Sequence, residues 1–479
     1  MGNGNELDVF MNPGSIAVIG ASERPGSWGS FIMNGLLSTS YPGKIYPVNN
    51  RAETVFGMPV FKDLMAIEDP IELAVITIPE NFVEESVMLC GRKGVKGIII
   101  VTAGFGEAVE GGRDREEALA ELAHSYGMRL IGPNVSGVYN LNAQFNASPT
   151  SPDHMWRSPI AIVTQGGFAF KDLIAAGYYR RLGLSKFIHT GNECDLTVTD
   201  FLEYLGEDEE TKAVIVYLET VRDGKRFMEV ARKAAKIKPV IVYKAGRTQG
   251  GIRAAQSHTG ALAGTNEIFK GFFNQAGLVF SPTMELLLPL SHALIERPPV
   301  RGKRVCVITM GGSWGVALAD AVEEVGLVMP ELSAKLQNKL RDLGIPERAS
   351  VKNPVDIGAS GLYFVVDVMV AVGREILTSG EFDALIFHGV GAHGKLNEDS
   401  SEGMKAFVGA EKKISLGFCE LEKETGIPVF IGSNQTPWES QTMYDLNEMG
   451  VRFFNRVNET TLLISLMHDY WRRNQDRGR

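Results

Sequence analysis

Ten short apolar runs, rich in β-branched residues, punctuate the chain: SIAVIGA, ELAVITIP, VKGIIIVTAG, MRLIGPN, PIAIVTQGG, AVIVYLET, PVIVYKAG, RVCVITMGG, ALIFHGVG and IPVFIGS. Each ends in Gly, Pro or polar residues. Runs of this length read as strands buried on both faces. Between them lie segments with the helical period, such as NFVEESVMLCGRKG and KRFMEVARKAAK. That alternation is the signature of parallel sheets with helices on both sides, which collect ligands at the carboxyl ends of their strands.

With 479 residues, 44% hydrophobic and 22% charged, the chain can bury more than one core and should form about three domains of roughly 150 residues. The expected joints are NASPTSPDHMWRSP (146–159) and IERPPVRGK (295–303), both rich in Pro and polar residues. The boundaries follow as 1–150, 151–297 and 298–479.

The net charge of -9 is spread along the chain and offers no basic face to a nucleic acid. Cys90, Cys194, Cys306 and Cys419 form no C-x-x-C pair, as expected of a reduced cytoplasmic protein, and no metal-ligand spacing is present. The start, MGNGNELDVF, has neither the basic nor the apolar region of a signal peptide, and Glu6 stands where a myristoylation motif needs Ser or Thr. No apolar run reaches the roughly 18 residues of a membrane span. Neither nucleic acid nor membrane is expected as a partner.

An internal repeat supports the second joint. SPIAIVTQGGFAFKDLIAAGYYRRLGL (158–184) aligns with KRVCVITMGGSWGVALADAVEEVGL (303–327), each a strand, a Gly-Gly turn, a helix and a final Gly-Leu. Domains two and three are therefore similar doubly wound units, each offering bare helix amides after its turn, a site suited to phosphate or carboxylate. The candidates are Gln165, Gly166 and Gly167 in one and Gly311, Gly312 and Ser313 in the other. Tight packing at a βα turn explains one Gly-Gly equally well, but two matched copies less well.

The first domain opens like a dinucleotide binder, with Gly20, Ser22 and Gly26 after its first strand, though without the G-x-G-x-x-G spacing. The second strand, KIYPVNNRAE, ends in Asn49 and Arg51 where an NAD enzyme places an acid on the ribose. A basic residue there suits a phosphorylated ribose, as in NADP or coenzyme A; a surface charge is the alternative.

In AAQSHTGALAG (254–264), His258 stands among small residues with no nearby Cys, Asp or second His to make a metal site. By itself it reads as an ordinary solvated or hydrogen-bonded histidine.

SIAVIGAS, GKIYPVNN, FGMPVFKDL, ELAVITIP, GIIIVTAGFGE, IGPNVSGVYN, SKFIHTGNECDL, YLETVRDGKRF, KAGRT, SHTGALAGT and NPVDI occur in the order found in the NDP-forming acyl-CoA synthetases, relatives of succinyl-CoA synthetase. The chain resembles their α subunit from about Pro13 to Val451. The resemblance implies an α/β chain of three parts: a Rossmann-like CoA-binding domain (1–150), a flavodoxin-like ligase domain with a phosphohistidine loop (151–297) and a second flavodoxin-like domain (298–479). It implies that His258 is phosphorylated during turnover and that Glu219 fixes its tautomer and steadies the cation formed. The two helix starts would cradle the phosphoryl group.

CoA would lie on Gly20, Ser22, Gly26, Asn49, Arg51, the Thr77-Ile78-Pro79 strand end, Thr102, Ala103, Gly104 and Asn134, although any of these polar residues could equally serve its own turn. The implied reaction converts acyl-CoA and phosphate to acyl phosphate and CoA, passes the phosphoryl group to His258, and then to ADP. No segment resembles the ATP-grasp module, so ATP or ADP and Mg²⁺ should be held mainly by a β subunit on another polypeptide, in an α2β2 assembly.

One departure sits at the first helix start. Relatives read S-Q-S-G-A-L where this chain reads TQGGFAF, so Thr164 replaces a Ser and Phe168 and Phe170 are bulkier. With Trp314 these aromatics could shape a pocket for an acid larger than acetate; core packing is the other reading. Two further functional readings are an NADP-dependent oxidoreductase and a CoA-binding regulatory subunit that has lost catalysis.

Overall fold

The computed structural model describes residues 5–108, 111–151, 155–167, 169–253, 266–358 and 360–477. The chain divides into two compact units, Met1–Tyr178 with Leu182–Ser291, and Tyr179–Arg181 with His292–Arg479.

The first unit opens with β1 (Ser15–Ile19), β2 (Lys44–Val48), a small hairpin of β3 (Thr54–Val55) and β4 (Met58–Pro59), then β5 (Leu73–Ile76), β6 (Gly97–Ile100) and β7 (Arg129–Ile131). The five long strands form a parallel sheet in the order β2-β1-β5-β6-β7. Every residue of β1, β5 and β6 is buried, which is why their sequences are apolar without alternation. Each large aliphatic side chain so buried contributes about 1.5–3 kcal/mol.

A second sheet in the same unit holds β8 (Val138–Asn140), β9 (Phe145–Ala147), β10 (Ile160–Thr164), β11 (Lys186–His189), β12 (Ala213–Leu218), β13 (Val240–Lys244) and β14 (Val279–Phe280). Its order is β14-β13-β12-β10-β11-β8-β9, with β8 and β9 antiparallel additions at the edge. Residues 138–147 thus join this sheet although they precede most of the Pro-rich joint. One apolar core runs from Val18 and Ile99 under the first sheet to Val163, Ile188 and Val214 under the second.

The second unit carries β15 (Val305–Thr309), β16 (Ser350–Val351), β17 (Val355–Asp356), β18 (Ala384–His388), β19 (Val429–Gly432) and β20 (Phe453–Phe454), ordered β16-β17-β15-β18-β19-β20. Counting parallel strands in chain order, all three sheets read 2-1-3-4-5. Each therefore reverses direction of winding between its first and third strands, and the crevice at that point is where such sheets bind ligands. The expected repeat is present: β10 leads to the helix Ala169–Tyr178, and β15 to the helix Gly312–Glu324.

Candidate active site

At the carboxyl end of β1 the chain turns at Gly20 with φ +93°, a conformation that glycine adopts without strain. A Cβ on Gly20 would lie 2.7 Å from Thr77 Oγ1, and one on Gly29 only 2.0 Å from the Gly20 carbonyl oxygen. The helix Trp28–Leu37 is thereby held at backbone contact with the turn, which brings bare amides to the β1/β5 crevice. Gly26, with φ +79°, faces open space.

Most of the polar residues chosen from sequence in this region serve the loops themselves. Thr77 Oγ1 donates to the Ile19 carbonyl at 3.0 Å, and Thr102 Oγ1 to that of Ile78 at 2.6 Å. Ser22 Oγ accepts the Arg24 N–H at 3.0 Å. Asn49 Nδ2 donates to the Ala21 carbonyl at 2.8 Å while its Oδ1 accepts the N–H of Arg51 at 2.8 Å. These side chains shape the crevice, and Arg51, just beyond the end of β2, is exposed. Gly104, with φ +107°, donates its N–H to Glu107 Oε1 at 2.5 Å. Burial raises the Glu107 carboxyl, but the N–H donors of Gly104 and Asn192 outweigh it and hold the group below the usual range.

The second sheet brings its own residues to the same place. Thr164 Oγ1 accepts the Gly166 N–H at 3.1 Å and donates to the Gly166 carbonyl at 2.8 Å, so the threonine that departs from the family pattern fastens the turn. Gln165 is the hub. Its Oε1 accepts the N–H of Glu219 at 2.6 Å and of Thr220 at 2.9 Å, and its Nε2 donates to Glu193 Oε2 at 2.9 Å and to the Thr220 carbonyl at 3.1 Å. Glu219 is buried at the end of β12, and a Cβ on Gly166 would lie 3.2 Å from its Oε1. Glu219, Gln165 and Gly166 therefore lie together.

Lys244, buried at the end of β13, donates to the Glu219 carbonyl at 2.6 Å; burial pushes its pKa down to about 8, against the opposing pull of Glu219. Burial likewise pushes Glu193 upward, in spite of the N–H of Val198 and the Gln165 and Thr190 side chains.

Sequence reasoning passed over His189, Asn192 and Glu193, all inside the quoted segment SKFIHTGNECDL. His189 Nδ1 accepts the Ser136 N–H at 2.7 Å, so the proton sits on Nε2, which donates to the Gln165 carbonyl at 3.0 Å. The ring lies against the turn: a Cβ on Gly167 would meet its Cε1 at 2.7 Å. Asn192 Oδ1 accepts from Asn134 Nδ2 at 3.2 Å, and its Nδ2 donates to Glu116 at 2.6 Å and also to Glu107.

Two hollows result. A recess of about 160 Å³ is lined by Trp28, Ala103 and Asn134 from the first sheet's side and by Gly167 and His189 from the second's. A cleft of about 470 Å³, lined by Glu107, Arg113, Glu116, Glu219 and Arg222 among others, adjoins Gln165 as the recess does. The structure thus brings Ala103, Asn134, Gln165, Gly167 and Glu219 to one neighbourhood.

In the second unit, Gly311 caps the helix Gly312–Glu324, with Ser313 exposed in its first turn. Thr309 Oγ1 accepts the Gly311 N–H at 3.2 Å and donates to its carbonyl at 3.0 Å. The Trp314 indole lies 5.1 Å from the His388 ring, tilted by 38°. His258 and Phe168 lie outside the described residues, as does the side chain of Phe170.

Doubly wound sheets whose crevices combine bare glycine turns, a buried carboxylate and amide-rich helix starts define a class of proteins that handle phosphorylated ligands. Residues 14–140 match the CoA binding domain family, and residues 157–294 the succinyl-CoA ligase like flavodoxin domain. The α subunit of ADP-forming acetate–CoA ligase II of Pyrococcus furiosus is 42% identical over 354 residues, 74% of this chain and 76% of that one. The ADP-forming 4-hydroxybutyrate–CoA ligase of Nitrosopumilus maritimus is 35% identical over 352 residues, and the match spans half of its length. Acetyl-coenzyme A synthetase 1 of Ca. Korarchaeum cryptofilum, solved with phosphate and ADP, superimposes with a TM-score of 0.83 at 30% identity, covering 98% of this chain and 97% of that one. The chain belongs to the family of ADP-forming acid–CoA ligases, corresponding to their α subunit. No helix among the described residues is long and apolar enough to cross a membrane.

Proposed function

We propose that this chain interconverts acyl-CoA, phosphate and ADP with a carboxylic acid, CoA and ATP, by way of an acyl phosphate and a phosphohistidine at His258. The observation that carries the reading is the neighbourhood just described, where Ala103 and Asn134 of the CoA-binding side face Gly167 of the ligase side across one recess. Residues 1–150 hold CoA in the crevice formed by Gly20, Ser22, Gly26, Asn49, Arg51, Thr77, Ile78, Pro79, Thr102, Ala103, Gly104 and Asn134, in which Ser22, Asn49, Thr77 and Thr102 fix the shape of the turns. Residues 151–297 bear His258 and Glu219, and residues 298–479 supply the second helix start.

Phosphate attacks the thioester carbonyl. The C–S bond breaks, CoA leaves with a proton, and acyl phosphate remains. A neutral His258 nitrogen then attacks phosphorus; the N–P bond forms, the P–O bond to the acyl group breaks, and the carboxylate departs. Glu219 holds the imidazole tautomer and offsets its developing positive charge. The amides of Gly167, with Gln165 and Gly166 setting the turn, and those of Gly312 and Ser313, with Gly311 capping their helix, receive the phosphoryl oxygens. A favourable helix start contributes roughly 0.3–2 kcal/mol to such a group. An ATP-grasp β subunit, in an α2β2 cytoplasmic assembly, binds ADP and Mg²⁺; the ADP β-phosphate oxygen attacks phosphorus, the N–P bond breaks, and ATP leaves His258 neutral again.

The test incubates the chain with acetyl-CoA and radiolabelled phosphate and measures acid-labile protein-bound phosphate. Label is expected on the wild type and absent from His258→Ala; equal labelling of both would refute the proposal. Copurification from the native source identifies the β subunit, and a panel running from acetate to aromatic acids, scored by CoA consumption, identifies the acid.

A further inference from the structure

His388 ends β18, at the crevice of the second unit's sheet, and is the register partner of Thr309, whose hydroxyl fastens Gly311. It is 1% exposed, and neither ring nitrogen has a hydrogen-bond partner among the described residues. A buried polar group without a partner costs about 1–3 kcal/mol, so its retention requires an explanation. The ring cannot move far: the indole of Trp314, in the first turn of the helix Gly312–Glu324, lies 5.1 Å away, and a Cβ on Gly432 would strike His388 Cδ2 at 2.4 Å.

The loop after His388 is also fixed. The buried Glu411 accepts the N–H of Gly391 at 2.9 Å and of Ala392 at 3.1 Å, together with the hydroxyls of Tyr363 and Thr442.

The internal repeat sharpens the contrast. Thr164 in the first copy is in register with Tyr217 on β12 and His189 on β11, whereas Thr309 in the second is in register with His388 on β18 and Asp356 on β17. Two residues beyond Tyr217 stands Glu219; two beyond His388 stands Val390. The carboxylate at the second helix start comes instead from Asp356, whose Oδ2 would lie 3.1 Å from a Cβ on Gly312. A carboxylate there opposes an incoming anion, so amides alone give weak attraction and a further donor is needed. Burial pushes the His388 pKa down to about 4, which leaves a neutral ring with one N–H to give.

We propose that His388 donates a hydrogen bond to a phosphoryl oxygen at the start of the helix Gly312–Glu324, completing with the Gly312 and Ser313 amides an anion site in the second unit. This rests on reading that helix start as phosphate-binding. The phosphoryl group comes from free phosphate or from phosphorylated His258.

The test uses the full chain with ¹⁵N-labelled histidine, the His388 ring signals being those missing from His388→Gln. Inorganic phosphate is added to the wild type and to His258→Ala, and in a second arm the wild type is phosphorylated with acetyl-CoA and phosphate. A saturable shift of the His388 signals in either arm is expected, and the arm that moves them identifies the source. In parallel, His388→Phe should raise the phosphate concentration for half-maximal labelling by about tenfold, with partial rescue in His388→Asn or His388→Gln, which keep an N–H donor. His388 signals unmoved in both arms would overturn the proposal. A chain that never acquires acid-labile phosphate, yet whose His388 responds to phosphate, keeps the anion site and removes the ligase reading.

Discussion

Thr164 and Thr309 make the same pair of hydrogen bonds, each hydroxyl accepting the N–H and donating to the carbonyl of the residue two places on. The duplication visible in sequence as two Gly-Gly turns is therefore a duplication of their fastening. The groups in register with the two threonines differ: Tyr217 and His189 in one copy, His388 and Asp356 in the other.

Replacing Thr164 by Val keeps the shape and β-branching but removes both bonds. A loss of about 1–2 kcal/mol in stability is expected, with a higher phosphate requirement for labelling of His258. Thr164→Ser should restore most of both. Chemical denaturation and the phosphate dependence of acid-labile labelling report the two effects separately; an unchanged phosphate requirement in Thr164→Val would show that the fastening is irrelevant to the site.

Gly29 and Gly26 flank the same entry to the first helix and should respond in opposite measure. A methyl group on Gly29 would overlap the Gly20 carbonyl, whereas on Gly26 it meets nothing and only the φ of +79° resists it. Gly29→Ala is expected to cost about 1–3 kcal/mol through overpacking and to abolish CoA binding, because the turn must move. Gly26→Ala should cost roughly 1–2 kcal/mol and retain binding. Calorimetric titration with CoA, beside thermal unfolding, decides between them.

The architecture was legible because fully buried parallel strands leave long apolar runs. β1, β5, β6, β10, β12, β13, β15, β18 and β19 all stand in segments read as strands. The two-residue strands β14, β16, β17 and β20 were not separately legible, being too short to carry a period, and the β8–β9 hairpin escaped because it crosses to the second sheet. β11 was quoted only as part of a family segment: KFIH carries a lysine and a histidine in a fully buried strand, paid for by the Lys186 ion pair with Asp208 and the two bonds of His189. In the site, Gly20, Gln165 and Glu219 could be chosen from motif position. The roles of His189, Asn192 and Glu193 depend largely on partners 24 to 85 residues distant, which one sequence does not reveal. Sequence also marked Asn49, Thr77 and Thr102 as ligand groups; their side chains donate to the Ala21, Ile19 and Ile78 carbonyls of neighbouring strand ends and turns.

Gln165 should be less replaceable than its neutral side chain implies. Gln165→Leu would strand the Glu219 and Thr220 amides and deprive the buried Glu193 of one donor. Each unsatisfied group costs about 1–3 kcal/mol. Labelling of His258 is expected to fall by at least tenfold, since Glu219 would no longer be held. Gln165→Glu keeps the acceptor but sets a second carboxylate against Glu193, so its defect should ease as the pH is lowered. A pH profile of labelling tests this: parallel profiles for Gln165→Glu and the wild type would sink the idea.

Acid should loosen the second unit through Glu296. Burial raises this carboxyl, but His292, at 2.7 Å, and Arg452, with two contacts at 3.1 Å, prevail and bring it down to about 2. In the unfolded chain the same group titrates near 4.3. A depressed folded-state value means that between these two limits the unfolded state holds more protons, so stability falls as pH falls. The contribution is therefore whole above about pH 4.5 and fades as the pH approaches 2. Glu296→Gln removes the titration while keeping the shape. The wild type should lose its advantage over Glu296→Gln across that window, read by hydrogen exchange in the helix Leu287–Glu296 and around Arg452. Curves that stay parallel from pH 5 to 2 would show that the pair contributes nothing through charge.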